Sequence, residues 1–422
     1  MNVNNASFRI TLELEAQSPL IHFQAREPGA TLRPSEVKPK LDRFLLAKLE
    51  KKLGKTKEML FRDKDYMDFF LPAPDGRVVC SLAYRMRITC RQPPTLVVLN
   101  NDRSLTKDNP AYRELPNYSI YYANSGVKEP EVQRLGVLSQ PTVEIRCFVP
   151  ALRALLREYL EEFFLVTNFG TMQSKGFGSF APKGFQLDEE QISRYLTERT
   201  GTDICLLMPI RPSRDPNDFS EHFKWIERFC RLMKSGYNMS SRGECEPSFL
   251  FDYMHGKYNS GLALNNEKAW MKERGISPVV YTSIQPPRQQ RSQQPARYVR
   301  CFLGATGSIT YKARPDGGRK TVTITSGELA RVPSPLSFKI LGNTVFITTF
   351  PVDASLYGKP YRFEGYGSGT LFTPETSDFP DDAFDIAAFL RSYTEHYNEL
   401  IRSNKLPRYL KNAPLVKEVQ QR

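Results

Sequence analysis

The stretch GTMQSKGFGSF, residues 170–180, places three glycines around a Ser-Lys pair directly after a long apolar-striped segment. Glycine lets a backbone approach another group closely. Bare N–H groups in such a turn can cradle an anion while Lys175 supplies charge. A plain tight hairpin satisfies the same residues, so both readings stand at this point. The run lacks the G-x-x-x-x-G-K-[ST] spacing of a phosphate-binding P-loop and is not a dinucleotide fingerprint.

Upstream of it, Pro150 sits where a helix can start. Leu152, Leu155, Leu156, Tyr159, Leu160, Phe163 and Phe164 then form one broad stripe that ends near Gly170, a candidate left-handed terminator. Strand-like runs precede it at 78–90 and 142–149. At the start of the chain Phe8, Ile10, Leu12 and Leu14 alternate with polar neighbours, the period of a half-buried strand. Leu41, Phe44, Leu45 and Leu49 then mark a helix over about 36–52, with Ser35 as its expected N-cap. Strand, helix, strands, helix, strand is the order of a ferredoxin-like (RRM-like) βαββαβ unit with insertions.

The second half repeats the scheme. Residues 204–210 read as a strand, and Phe219, Phe223, Ile226, Phe229 and Met233 mark one helix face. Phe389, Leu390, Tyr393, Tyr397, Leu400 and Ile401 mark another, with strand-like runs at 297–311, 321–325 and 336–350 between them. The expected fold is therefore α+β, with two ferredoxin-like domains at 1–200 and 201–422. The segment IQPPRQQRSQQPAR, 284–297, is rich in proline, glutamine and arginine and reads as a flexible loop.

The 422 residues suffice for two such cores, and 40% hydrophobic with 12% aromatic residues are globular values. A net charge of +13 favours a polyanionic partner, because each neutralised phosphate releases condensed counterions. Seven cysteines, with no C-x-x-C pair, suggest neither a zinc ribbon nor a disulfide framework. No run approaches the ~18 apolar residues of a membrane span, and the N-terminus has no signal-peptide pattern, so a cytoplasmic protein without membrane contact is expected.

Ser174, Lys175, Gly176, Phe177 and Gly178 match in order the glycine-rich loop of the CRISPR-associated RAMP superfamily, a polar stretch, Ser-Lys or Ser-Arg, then Gly-Phe-Gly. Ser18-Pro-Leu20, the LRPSEVK run at 32–38 and the RVPSPL run at 331–336 add to the likeness. Together they are similar to the large two-domain RAMP subunit of Cmr-type (type III-B) effector complexes. The chain departs from that pattern at Pro39–Phe44 and at Ile21–Gln24.

The resemblance implies a subunit that binds guide RNA and target RNA and docks on other RAMP/Cas subunits. It implies no cofactor and no metal, and a groove lined by the glycine loop, with Gly170, Ser174, Lys175, Gly176, Phe177 and Gly178, and by the start of the first helix. Independently, Arg33, Lys38, Lys40 and Arg43 cluster at that helix start, where outward N–H groups also favour phosphate. A solvated charged face is the plain alternative. Tyr121, Tyr122 and Phe177 are candidates for base stacking.

Some RAMP proteins are metal-independent endoribonucleases, and His22, ahead of the basic cluster, is the candidate acid or base, with Lys38 or Arg33 stabilising a charged phosphorane. His222 and His396 read as ordinary core or surface residues. His255, flanked by Tyr253, Lys257 and Tyr258, is a candidate RNA-facing loop. Three readings follow: a non-catalytic RNA-binding subunit, a guide-processing endoribonuclease centred on His22, and a protein-interaction scaffold whose charge serves solubility.

Overall fold

A computed structural model describes residues 8–22, 30–71, 81–99, 117–118, 135–238, 245–246, 248–276, 295–305, 307–312, 319–327, 332–403 and 410–419. Tyr121, Tyr122, Arg331 and most of the 284–297 segment lie outside them. The first unit runs β1 (Arg9–Ala16), α1 (Pro34–Leu53), β2 (Tyr84–Cys90), β3 (Pro141–Cys147), α2 (Pro150–Val166) and β4 (Phe180–Pro182). Its sheet is antiparallel with strand order β2-β3-β1-β4, the 2-3-1-4 order of a ferredoxin-like fold. The insertion between β2 and β3 carries a separate three-stranded sheet that includes Thr95–Leu99 and Leu135–Leu138.

A bridging helix, α3 (Glu189–Thr200), leads to the second unit: β5 (Cys205–Pro209), α4 (Ser220–Lys234), β6 (Leu336–Leu341), β7 (Thr344–Thr349), α5 (Ile386–Arg402) and β8 (Lys417–Glu418). The order β6-β7-β5-β8 repeats the first. Its insertions hold a four-stranded sheet built from Ser308–Lys312, Arg319–Thr325, Pro360–Glu364 and Ser368–Phe372.

Local chemistry explains most boundaries. Pro34 occupies the first turn of α1, where its missing N–H costs nothing, so Arg33 and not Ser35 is the N-cap residue. Helix α2 ends at Val166, short of Gly170. Residues 336–350 form a hairpin turning at Gly342 and Asn343 rather than one strand, and the run at 297–311 opens with a 3₁₀ turn, Val299–Leu303, before its strand.

The sheets are covered differently. In the first, Ile10, Leu12, Leu14, Val143 and Ile145 are buried against Leu41, Leu45, Leu156 and Phe163 of α1 and α2, while the alternate residues face outward. In the second, Leu206, Met208, Phe338 and Ile340 belong to the large core with Phe223, Ile226 and Phe229 of α4. Leu207, Leu341 and Phe346 pack in a smaller core with Leu165, Ile192 and Leu196. The second sheet is therefore buried on both faces, and its back rests on α3 and the end of α2.

The glycine-rich run is the seam between the units. Gly178 donates its N–H to Pro19 O, Thr171 to Ile21 O, and Ser18 Oγ donates to Gly176 O while accepting from Ser179 N–H. On its other edge Phe338 N–H donates to Ser174 O, Ser179 Oγ to Ile340 O, and Asn168 Nδ2 to Phe338 O. Lys339, only 2% exposed, crosses the seam and donates to Phe164 O at 2.8 Å, Thr167 O at 2.9 Å and Phe180 O at 3.3 Å. A cation there meets the negative end of α2.

Gly178 has φ +66°, and a Cβ there would lie 2.0 Å from Phe169 O; Gly184 has φ +70° with open space around it. Gly178→Ala is expected to destabilise by at least about 2 kcal/mol more than Gly184→Ala, which bears only the left-handed strain of about 1–2 kcal/mol. Denaturant unfolding of the two variants reads the difference. His222 is buried and its Nε2 lies 3.1 Å from Gly342 O; burial lowers its pKa, opposed by Gly342 O, Asp218 and Glu221. A folded-state pKa below the unfolded value of about 6.5 makes its contribution complete above that pH and lost as pH falls through the folded pKa. His222→Gln should therefore lose less stability between pH 7 and 5 than the native protein in parallel melts.

Candidate nucleic-acid interface

Positions 40, 43, 44, 47, 48 and 51 follow the helical three-and-four spacing, which gathers Lys40, Arg43, Phe44, Ala47, Lys48 and Lys51 on one face of α1. That face, Phe163 and Thr167 at the end of α2, Gln173 of the glycine run, and Glu198 and Arg199 at the end of α3 line a cleft of about 440 Å³. Five cations meet one carboxylate in its wall. Phe44 and Phe163, with ring centroids 5.5 Å apart, supply an aromatic floor.

The cations are held differently. Lys40 Nζ donates to Asn168 O at 3.0 Å and Gln173 Oε1 at 2.9 Å and pairs with Glu36 at 3.4 Å, so it fastens α1 to the glycine run. Burial lowers its pKa, Glu36 opposes this, and Arg199 and Arg43 push it further down. Lys48 is held by Glu162 at 2.5 Å and Glu198 at 3.1 Å; burial works against its charge, but the two carboxylates outweigh it and its pKa rises. Lys51, 70% exposed, reaches Glu198 only at 3.9 Å. Arg43 donates to Pro39 O and has no carboxylate partner among the described residues. Arg199 makes neither ion pair nor hydrogen bond among them; the residue is exposed, yet the protein crowded around its guanidinium draws its pKa down to about 10, which leaves it charged at neutral pH. Two guanidinium groups thus face the cleft without a counterion, an arrangement suited to bidentate contact with phosphate.

The structure separates the residues singled out from the sequence. Lys40 and Arg43 reach the cleft. Lys38 does not: its Nζ donates to Asp42 Oδ2 at 2.8 Å, Ser81 Oγ at 3.1 Å and Leu82 O at 3.0 Å, beside the Tyr84 ring. Arg33 is half-buried at the N-cap of α1, near His22 and Glu36. Burial, then Arg33, lowers the His22 pKa against Glu36, so the ring is neutral at pH 7.

Much of the glycine run's backbone is committed within the protein. The N–H groups of Gly170, Thr171, Lys175, Gly176, Gly178 and Ser179 all donate to protein acceptors, Gly170 to Glu36 Oε1. The glycines are needed because a Cβ at Gly170 would meet Ile21 O at 2.4 Å and one at Gly176 would press on Ile340 at 3.2 Å. Phe177 is 1% exposed and stacks on Phe223 at 4.1 Å, so its ring fills the second core and meets no base. Ser174 contributes its carbonyl to Phe338, and Lys175 lies toward Glu227, Cys230 and Lys234 of α4, outside the cleft lining. At His255, Tyr253 is buried and Tyr258 packs on Phe249 and His396, while the exposed Lys257 pairs with Asp252 at 2.7 Å.

Segments far apart in the sequence meet at the glycine run. Ser18 and Pro19 clasp the 170–180 run from one side, and β6, entered through Val332–Leu336, clasps it from the other. A family model described as the Cmr1 N-terminal domain matches residues 7–237, and one described as the Cmr1 C-terminal domain matches residues 245–418. The chain belongs to the Cmr1 family.

A comparison with curated proteins returns no match. Among solved structures, the chain is similar to apo Cmr1 from Pyrococcus furiosus, with 11% identity over 97% of this chain and 98% of that one and a TM-score of 0.39. It is also similar to chains of type III-B Cmr-beta bound to cognate target RNA. One has 11% identity over 91% and 98% of the chains and a TM-score of 0.37. The other, from a state with AMPPnP and single-stranded DNA, has 12% identity over 91% and 97% and a TM-score of 0.35. Among the described residues no helix is long and apolar enough to cross a membrane, and no group of three or more His, Cys, Asp or Glu is placed to hold a metal ion.

Proposed function

We propose that this Cmr1-family chain is a non-catalytic RNA-binding subunit of a cytoplasmic, CRISPR-type (type III-B) effector complex. It grips guide RNA or target RNA by the backbone in the α1–α2–α3 cleft and docks on other RAMP/Cas subunits. The observation that carries the reading is the pair of guanidinium groups, Arg43 and Arg199, that enter the cleft with no carboxylate partner among the described residues. Phosphate contacts of this kind position a strand without reading its bases, which leaves sequence selectivity to pairing with the guide. On this reading the two domains, 1–200 and 201–422, act as one grip, because Phe338 and Lys339 of β6 tie the second unit to the glycine run and the end of α2 in the first.

A guide-processing endoribonuclease is the second reading, favoured by the neutral His22 ring beside Arg33. It lacks Lys38, which is committed to Asp42 and Leu82. A scaffold that meets no RNA gives no role to two uncompensated guanidinium groups in one cleft.

Arg43→Glu combined with Arg199→Glu is expected to weaken binding of an unstructured single-stranded RNA at least tenfold at low salt. It should also flatten the log affinity against log salt slope by about 1.4, two contacts at ~0.7 each. Lys38→Met should lower stability and leave affinity intact, and the native protein should return the RNA uncut in chelator. Unchanged affinity in the double variant contradicts the cleft; RNA shortened by the native chain but not by His22→Ala restores the nuclease reading.

A further inference from the structure

The first sheet leaves one face open where the second is covered on both. Along it Arg9, Thr11, Arg85, Arg87, Thr89 and Arg146 are exposed. The register sets Arg146 opposite both Arg9 and Arg85, so three arginines from three adjacent strands share one row. Glu144, opposite Thr11 and Arg87, lies in the next. Glu144 is the carboxylate of these two rows, and Arg9 and Arg146 both take it. Arg85 and Arg87 have no ion pair or hydrogen bond among the described residues. Like charges directly opposite each other cost stability in a sheet, so this row serves the fold poorly.

At the end of the same rows Phe8 and Phe148 stack with centroids 5.0 Å apart and planes 17° apart, and Phe148 is 74% exposed. An exposed ring held flat by a second ring, beside guanidinium groups without counterions, is the combination that binds a polynucleotide whose bases are unpaired. At the opposite end of the face Glu13 lies two residues along from Thr11 and pairs with Lys183 at 3.4 Å, so the two charges offset each other there. The guanidinium groups without a carboxylate partner among the described residues, Arg85 and Arg87, lie in the rows that lead to Phe148. The helices α1 and α2 cover the other face of this sheet, so this surface and the cleft lie on opposite sides of the unit.

We propose that the open face of the first sheet is a second binding surface, for single-stranded nucleic acid, with Phe148 as the base platform and Arg85 and Arg87 as phosphate contacts. It is independent of the cleft.

The test uses the full chain and a fluorescent twelve-nucleotide oligouridine, with a 4-thiouridine version for photocrosslinking. In the Arg43→Glu/Arg199→Glu background, which removes the cleft contribution, Arg85→Glu/Arg87→Glu should lower the remaining affinity at least tenfold and flatten its salt dependence. Phe148→Ala should lower it about fivefold or more with the salt slope unchanged, and the crosslinked peptide should contain Phe148. All three side chains are exposed, so folding is checked by an unchanged melting curve. Affinity within twofold in both variants, with crosslinks elsewhere, overturns the proposal and assigns the face to an acidic protein partner. The failure of the cleft reading is a separate result, seen when the background variant alone binds like the native chain.

Discussion

One ammonium group holds the architecture together. Lys339 Nζ sits in the seam between two sheets, saturated by the carbonyls of Phe164, Thr167 and Phe180. Burial and Arg199 both draw its pKa well below that of an ordinary lysine. Three oriented carbonyls at the end of α2 supply the interaction that keeps so buried a group tolerable. Because those carbonyls belong to the first unit and the lysine to a strand of the second, the units cannot separate without leaving polar groups bare.

The rest follows from that seam. It needs backbone that closes on Ile21 at residue 170, on Ile340 at 176 and on Phe169 at 178, hence glycine at those three positions. It buries the back of the second sheet, and it brings the end of α3 against α1, where Arg199 completes a basic wall begun by Lys40 and Arg43. The glycine run makes the cleft by holding its walls, and the amides of Gly170, Thr171, Lys175, Gly176, Gly178 and Ser179 are spent on protein acceptors.

The double ferredoxin-like plan is legible because each element announces itself locally: the alternation from Ile10 to Leu14, the stripe from Leu152 to Phe164, the aromatic face of α4. The hairpin at 336–349 is not, since Leu336–Leu341 and Thr344–Thr349 are buried almost throughout and run on with only Gly342 and Asn343 to mark the turn. The glycine motif was recognisable, yet its purpose depends on Ser18, Pro19, Ile21 and Phe338, about 150 residues away in either direction. The cleft was half visible. Lys48 and Lys51 continue the Lys40–Arg43 face at helical spacing and were within reach of a pattern reading, whereas Arg199 enters it only through tertiary packing. Phe177 shows the converse, an aromatic flanked by glycines that resembles a stacking platform and serves as core.

Residue-level chemical footprinting of the full chain, with arginine- and lysine-reactive reagents in the presence and absence of single-stranded RNA, tests the central claim most directly. The account predicts that RNA shields Arg43, Arg199 and Lys51 while Lys175 keeps the reactivity it has in the free protein. Shielding of Lys175, with Arg43 and Arg199 reacting as before, would contradict it and return the binding site to the glycine run.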